Sequence, residues 1–322
     1  FFKQKTAYDI RLSLVGSEMC IRDSYYNKGL LREAGLDPER PPRTISELDG
    51  CQRRLTIVEP GGAIRRTGFL HREPGWWSWL WGYYFGASLY DERANLALVD
   101  SPINIQAFDW VQSYPRQFDP AQLETFRSGF GNYDSPLNGF LTGKVAMVMQ
   151  GPWLANVIGA YGKDIDYGVC PFPVHESLYQ ESAPIGMIDT DVLVIPRGVR
   201  HPEASMEFIA YTQRQDVVEY LATVHCKNSP LAVSSESFLT NHPNRGVRVH
   251  DAIAKSPRSF RVPDTRAWLQ FKMNFDIALD TIWTLKATPK KVLTDLQVQN
   301  QVLLNRVADQ QQRRDAKRGV ST

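Results

Sequence analysis

The run from Pro74 to Phe85 reads PGWWSWLWGYYF and holds four of the chain's eight tryptophans, Trp76, Trp77, Trp79 and Trp81. Indole faces stack on flat partners. A sugar ring offers them a C–H face, while its hydroxyls call for amides and carboxylates. The plainer use of this much aromatic surface is core packing. Trp79, Trp81, Tyr84 and Phe85 fall at helical spacing and are assigned to the core. Trp76 and Trp77 stay open between the two uses. Motifs for bond-making chemistry are missing: the chain has no P-loop, no GxGxxG after a strand, no HExxH and no GxSxG. His225 beside Cys226 is a single dipeptide, too little for a metal site. Nothing singles out a pair of carboxylates about 5 to 10 Å apart, as a glycosidase would need. No catalytic residue, metal or cofactor is therefore assigned.

The chain has 322 residues, 43% hydrophobic and 22% charged, with a net charge of +2. That length suits two domains or lobes. No basic stripe stands out, which gives no electrostatic reason to expect nucleic acid or an anionic membrane as partner. No apolar run approaches the roughly 18 residues of a membrane span. With Cys20 set aside in the first 24 residues, Cys51, Cys170 and Cys226 are too widely spaced for a metal motif or a disulfide framework.

Residues 1–24, FFKQKTAYDIRLSLVGSEMCIRDS, have no clean helical or strand period. They resemble a translated sequencing adapter, and are expected to stay outside the fold. On that reading the natural N-terminus and any export signal are missing.

From Tyr25 the pattern is regular. Asn27 can cap a short helix that Gly35 stops. Thr44 to Glu47 fits a capping box. Ser101-Pro102 places a cap and an N1 proline before a helix with Ala107, Trp110, Val111 and Tyr114 on one face. GKVAMVMQ, from Gly143, reads as a buried strand, followed by a turn and helix in GPWLANVIGAYG. DYGVCPFPV and DVLVIP read as further strands, and EASMEFIAYTQ as a helix followed by one capped by Asp216. His225 to Asp264 is rich in Pro, Ser and Asn and is expected to loop over the surface. Helical patterns run from Trp268 to Leu285 and from Pro289, with residues 309–322 a frayed polar tail. Strands alternating with helices argue for an α/β architecture.

Four stretches in order carry a resemblance: YYNKGLLREAGLDPERPPRTISEL, FLTGKVAMVMQGPW, MIDTDVLVIPRGVRHPEASMEFIAY and ATPKKVLTDLQVQ. From Tyr25 to about Val307 the chain resembles the extracellular solute-binding proteins of ABC importers, the family that includes maltose- and glycerol-phosphate-binding proteins. The resemblance implies a type II periplasmic-binding-protein-like two-lobed α/β fold, with most of the N-terminal lobe missing. Residues 25–185 and 262–308 would form the C-terminal lobe, and 190–255 a remnant of the other. It implies a binding protein that holds a sugar or oligosaccharide in an inter-lobe cleft, outside the cytoplasm, and delivers it to ABC permease transmembrane subunits. A carbohydrate-active enzyme with tryptophan-lined subsites is the alternative.

The resemblance also distributes roles. Trp153 in Gly151-Pro152-Trp153 matches the family's stacking tryptophan at the mouth of a helix; Gly151 permits close backbone approach and Pro152 suits a first helical turn. Trp76 and Trp77 match a second aromatic position, and Trp268 a third. Asp189 and Asp191 flank the second crossing between lobes, where they either bond ligand hydroxyls or cap a turn. Tyr26 and Asn27 lie at the first crossing with the same two options.

Overall fold

The computed structural model describes residues 15–317. Its first strand, β1 (Val15–Asn27), feeds directly into α1 (Lys28–Glu33), where Asn27 Oδ1 accepts the Leu30 amide at 3.0 Å. The chain continues through α2 (Ile45–Leu55), β2 (Ile57–Val58), β3 (Ile64–Phe69), a 3₁₀ turn at Trp81–Phe85, and the short pair β4 (Tyr90–Asp91) and β5 (Leu96–Ala97). Then come α3 (Pro102–Ser113), α4 (Pro120–Ser128), β6 (Val145–Gln150), α5 (Leu154–Tyr161), β7 (Tyr167–Cys170) and β8 (Met187–Leu193). Six helices, α6 (Pro202–Thr212), α7 (Gln215–Val224), α8 (Glu236–Asn241), α9 (Val247–Lys255), α10 (Trp268–Trp283) and α11 (Pro289–Lys317), complete the described residues.

The main sheet runs β2-β3-β6-β1-β7, with β8 also paired to β1. Among the described strand pairs of this sheet, β3 and β6 are parallel and the others antiparallel. β1 divides its pairing: its first part lies antiparallel to β8, and Ser24 to Tyr26 sit between β6 and β7. Side chains alternate across the sheet. Tyr26, Met147 and Met149 therefore enter the large core under α2, α3, α10 and α11, and Tyr25 and Val148 enter a smaller one with Leu154, Ile158 and Tyr167. All six residues of β6 are buried, as its unbroken apolar run requires of a strand covered on both faces. Trp79, Trp81, Tyr84 and Phe85 are buried, as their spacing indicated. Each large side chain taken out of water contributes about 1.5–3 kcal/mol before conformational entropy is counted.

Inside the large core, His71 is wrapped by the rings of Phe69, Trp81, Trp110, Tyr114 and Trp283, at centroid distances of 4.2 to 6.1 Å. Neither of its nitrogens has a hydrogen-bond partner among the described residues. Burial alone pushes its pKa well below the usual imidazole value.

A second feature joins α11 to the β5 region. Gln297 Oε1 accepts the Val99 amide and its Nε2 donates to the Ala97 carbonyl, while Gln301 Oε1 accepts the Ala97 amide and its Nε2 donates to the Asn95 carbonyl. Four helical residues rise about 6 Å and two extended ones about 6.6 Å, so glutamines one turn apart match alternate residues of an extended segment.

Several sequence expectations are corrected here. Residues 15–24, expected outside the fold, belong to β1, with Ile21 and Asp23 fully buried; residues 1–14 lie outside the described residues. Backbone pairing to β8, β6 and β7 makes that strand without any side-chain period of its own. Asp216 stands in the first turn of α7, and the N-cap is Arg214. The stretch from His225 to Asp264 contains α8 and α9, the latter burying Val247, His250 and Ile253. Residues 309–317 continue α11, aided by Gln311 bonding to Arg266 and Asp315. The third strand begins at Met187, four residues ahead of DVLVIP.

Around α6 to α9 the packing thins. A small cluster of Ala222, Phe238 and Val247 is separate from the other two cores. Val192, Val194, Met206, Phe208, Tyr211 and Tyr220 are exposed.

Candidate aromatic ligand site

β6 ends at Gln150, and the chain turns through Gly151 and Pro152 before α5 begins. The turn is fixed from two sides. Asn244 donates to the Pro152 carbonyl at 3.2 Å and to the Cys226 carbonyl at 3.0 Å. The His250 ring lies within hydrogen-bond distance of Asn244 and Tyr25, and Nδ1 of the same ring meets the buried Asp23 carboxylate. Burial raises the Asp23 pKa, opposed by His250 and Arg22.

This turn sets the Trp153 indole, which is half-buried at the N-cap of α5. Its Nε1 donates to Gln150 Oε1 at 3.1 Å, and the Gly151 amide donates to the same oxygen at 3.3 Å. A Cβ on Gly151 would come within 2.2 Å of the Trp153 ring, so only glycine lets the indole lie there. The ring of Trp77 is 6.3 Å away and tilted by 44°. The two indoles form a V, and the buried Arg22 guanidinium carbon lies 4.5 Å from the Trp77 centroid and 4.8 Å from that of Trp153. Trp76, 38% exposed, extends the group by edge contacts to Trp77 and Tyr133.

Trp76 also lines a hollow of about 460 Å³ with Arg72, Gly75, Ser78, Lys272 and Asp276. Its charges are matched: Arg72 pairs with Asp280, Lys272 with Asp276, and Ser78 donates to Asp276. Nearby in sequence, burial lifts the Glu73 carboxyl to about 7 against the pull of Arg127.

The nine residues singled out from sequence divide. Trp153, Gly151, Trp77 and Trp76 come together. Trp268 packs on Trp79 and Phe271 at the edge of the main core. Tyr26 is core, and Asn27 is the cap of α1. Asp189 and Asp191 lie exposed on β8; Asp189 accepts the Thr190 amide, and Asp191 is ion-paired to Lys227. Sequence reasoning missed Arg22, Gln150, Asn244 and Tyr133. Gln150 was within reach, as the one polar residue closing an apolar strand just before Gly-Pro-Trp. Arg22 lay inside the segment set aside.

Among the described residues, no group of three or more His, Cys, Asp or Glu side chains could hold a metal, and no helix is long and apolar enough to cross a membrane.

A family model described as bacterial extracellular solute-binding protein matches residues 24–218. The sn-glycerol-3-phosphate-binding periplasmic protein UgpB of Pectobacterium atrosepticum is 22% identical over 302 residues. The match takes in 88% of this chain and 64% of that one, so the chain spans somewhat under two thirds of that relative's length. Among solved structures, CpMnBP1 with mannobiose bound superposes with a TM-score of 0.76 at 25% identity, covering 88% of this chain and 70% of that one. The sugar-binding protein MalE of Xanthomonas citri superposes at 0.70 with 16% identity, over 90% and 70% of the two chains. These likenesses give the fold as that of the periplasmic sugar-binding proteins.

Proposed function

We propose that this chain, which belongs to the bacterial extracellular solute-binding protein family, is the substrate-binding component of an ABC importer, and that its ligand is a carbohydrate. It acts outside the cytoplasmic membrane, hands the solute to permease subunits and catalyses no step of its own. The observation that carries this reading is the V of Trp77 and Trp153, held by Gln150 and the Gly151-Pro152 turn. Two indole faces with an amide beside them are what a sugar's C–H face and hydroxyls require.

The residues 25–185 and 262–308 form one lobe, and 190–255 belong to the other. Support comes from the separate small apolar cluster of α7 to α9, and from β1 and β8, which join the two regions. Closure about those strands would bring ligand and indoles together. The UgpB relative is named for sn-glycerol 3-phosphate and CpMnBP1 is described with mannobiose, which makes these two the first probes.

The test is titration calorimetry with each probe, beside thermal unfolding, on the unsubstituted protein and on Trp153→Ala. A stacking role predicts a ten- to a hundredfold loss of affinity, about 1–3 kcal/mol, with little change in stability. A large fall in melting temperature at unchanged affinity would make Trp153 a packing residue and remove the main support for a sugar.

A further inference from the structure

We propose that Ser78 and Asp276 of α10 together set the angle of Trp76, and through it how tightly a sugar ring is held; both are positioning residues. The inference rests on the sugar-binding reading, in which Trp76 extends the pair of Trp77 and Trp153. Trp76 is the indole that faces open space. It lines the hollow of about 460 Å³, and Ser78 and Asp276 line the same hollow. Among the described residues it is the one exposed tryptophan.

The main chain gives this ring little support. Trp76 and Trp77 lie in an irregular stretch between β3 and the 3₁₀ turn. Among the described residues, the amides of Gly75, Trp76, Trp77 and Ser78 donate to no backbone carbonyl. Side chains do the fastening instead, and they fasten to one helix. Arg72 Nη1 donates to Asp280 Oδ1 at 3.0 Å, Ser78 Oγ donates to Asp276 Oδ1, and Trp79 meets Trp268 edge-on at 4.8 Å. Arg72 and Ser78 bracket the two indoles, and their carboxylate partners stand one helical turn apart on α10. The loop is therefore stapled at both ends. The two staples differ in strength. The Arg72 and Asp280 side chains are 26% and 50% exposed, and water weakens such a pair. Ser78 is buried, so its hydroxyl gives an ionised acceptor a bond shielded from water at the donor end. Asp276 is itself held, since its Oδ2 accepts from Lys272 at 3.1 Å. Losing the Ser78–Asp276 bond frees the loop at the end next to the indoles.

The experiment uses the whole chain and two readouts: acrylamide quenching of tryptophan emission, and calorimetry with mannobiose. Trp79, Trp81, Trp110 and Trp283 are buried, so quenching reports mainly on Trp76. In Ser78→Ala and in Asp276→Ala, quenching should rise and mannobiose should bind about three- to tenfold more weakly. Asp276→Asn keeps an acceptor for Ser78 and should return both readouts to those of the unsubstituted chain. Combining Ser78→Ala with Asp276→Ala should cost no more than either alone, because both remove the same bond. A folded Ser78→Ala with unchanged quenching overturns the proposal, and so does one that is quenched more yet binds mannobiose as before. An Asp276→Asn that behaves like Asp276→Ala also overturns it, since the charge beside Lys272 would then be what counts. Whichever alanine variant melts below the assay temperature is replaced by the other, with the same outcomes. If quenching changes as expected while the unsubstituted protein binds neither mannobiose nor sn-glycerol 3-phosphate, the staple holds Trp76 as proposed and it is the sugar reading that fails.

Discussion

Helices α3 and α6 start alike. Each has proline at its first position, Pro102 and Pro202, and they run 12 and 11 residues with aromatic side chains in both. α3 buries Ala107, Phe108, Trp110 and Val111 against α10, α11 and the sheet side of the core, and is capped by Ser101. α6 buries only Ile209 and Thr212, has no side-chain cap, and leaves Met206, Phe208 and Tyr211 in solvent. The same local signals make a helix in both places. What stands opposite decides whether its apolar residues stabilise anything, because helical stability in proteins comes mainly from packing of one face.

That contrast is most directly tested at two phenylalanines. Phe108→Ala should cost about 3–5 kcal/mol in urea unfolding, since the ring is fully enclosed and its removal leaves a cavity. Phe208→Ala, on a 63% exposed ring, should change stability by no more than about 0.5 kcal/mol. Similar costs at the two sites would show that α6 is covered in solution and that the contrast is false.

The histidines sharpen it further. His250, at the joint between the two regions, meets a carboxylate, whereas His71 in the main core meets only rings. The titratable group among those rings is Tyr114, whose hydroxyl donates to Asp49. A depressed folded-state pKa means that below about pH 6.5 the unfolded chain binds a proton at His71 that the native state refuses. Stability from this site is complete above that pH and falls as the pH drops below it, by up to about 1.4 kcal/mol per pH unit until the folded-state value is reached. Urea unfolding at pH 7.5, 6.0 and 5.0 should show a shallower acid loss in His71→Phe than in the unsubstituted protein. Equal slopes would mean that the ring is not held neutral.

The smallest effect on stability is expected at the exposed apolar side chains of α6 and α7. Replacing Phe208 and Tyr220 together by serine should leave the melting temperature within a degree or two while lowering dye binding and self-association, because exposed apolar patches attract partners without supporting the fold. A clear destabilisation would instead reveal packing on that face.

Much of the main body was legible in the residues. Ser101, Thr44 and Asn27 all accept the amides expected of N-caps. The tryptophan run split as its spacing suggested, with Trp79 and Trp81 inside and Trp76 outside. The failures share a cause. β1 before Tyr25 has no period because its partners on β8 supply the order, and a strand defined by its neighbours leaves little mark on its own sequence. The turn-like composition of 225–264 hid α8, although Ser235 accepts the Phe238 amide as an ordinary cap. The last turns of α11 are polar all round and are helped by side-chain bonds such as Gln311 to Asp315. At the candidate site, the family resemblance named Trp153, Gly151, Trp77 and Trp76, which the structure brings together. Arg22 was not readable, since an arginine on a surface strand and one between two indoles are spelled alike.

The glutamine ladder of α11 gives the molecule a built-in reporter. The amides of Ala97 and Val99 are bonded to side chains of a helix 200 residues away in sequence rather than to a neighbouring strand. Their hydrogen-exchange rates therefore measure whether the C-terminal helix is seated, independently of whether the sheet is intact. Two deuterium-labelled positions, at the end of β5 and just beyond it, can register the lifting of a 29-residue helix, well before the protein as a whole unfolds.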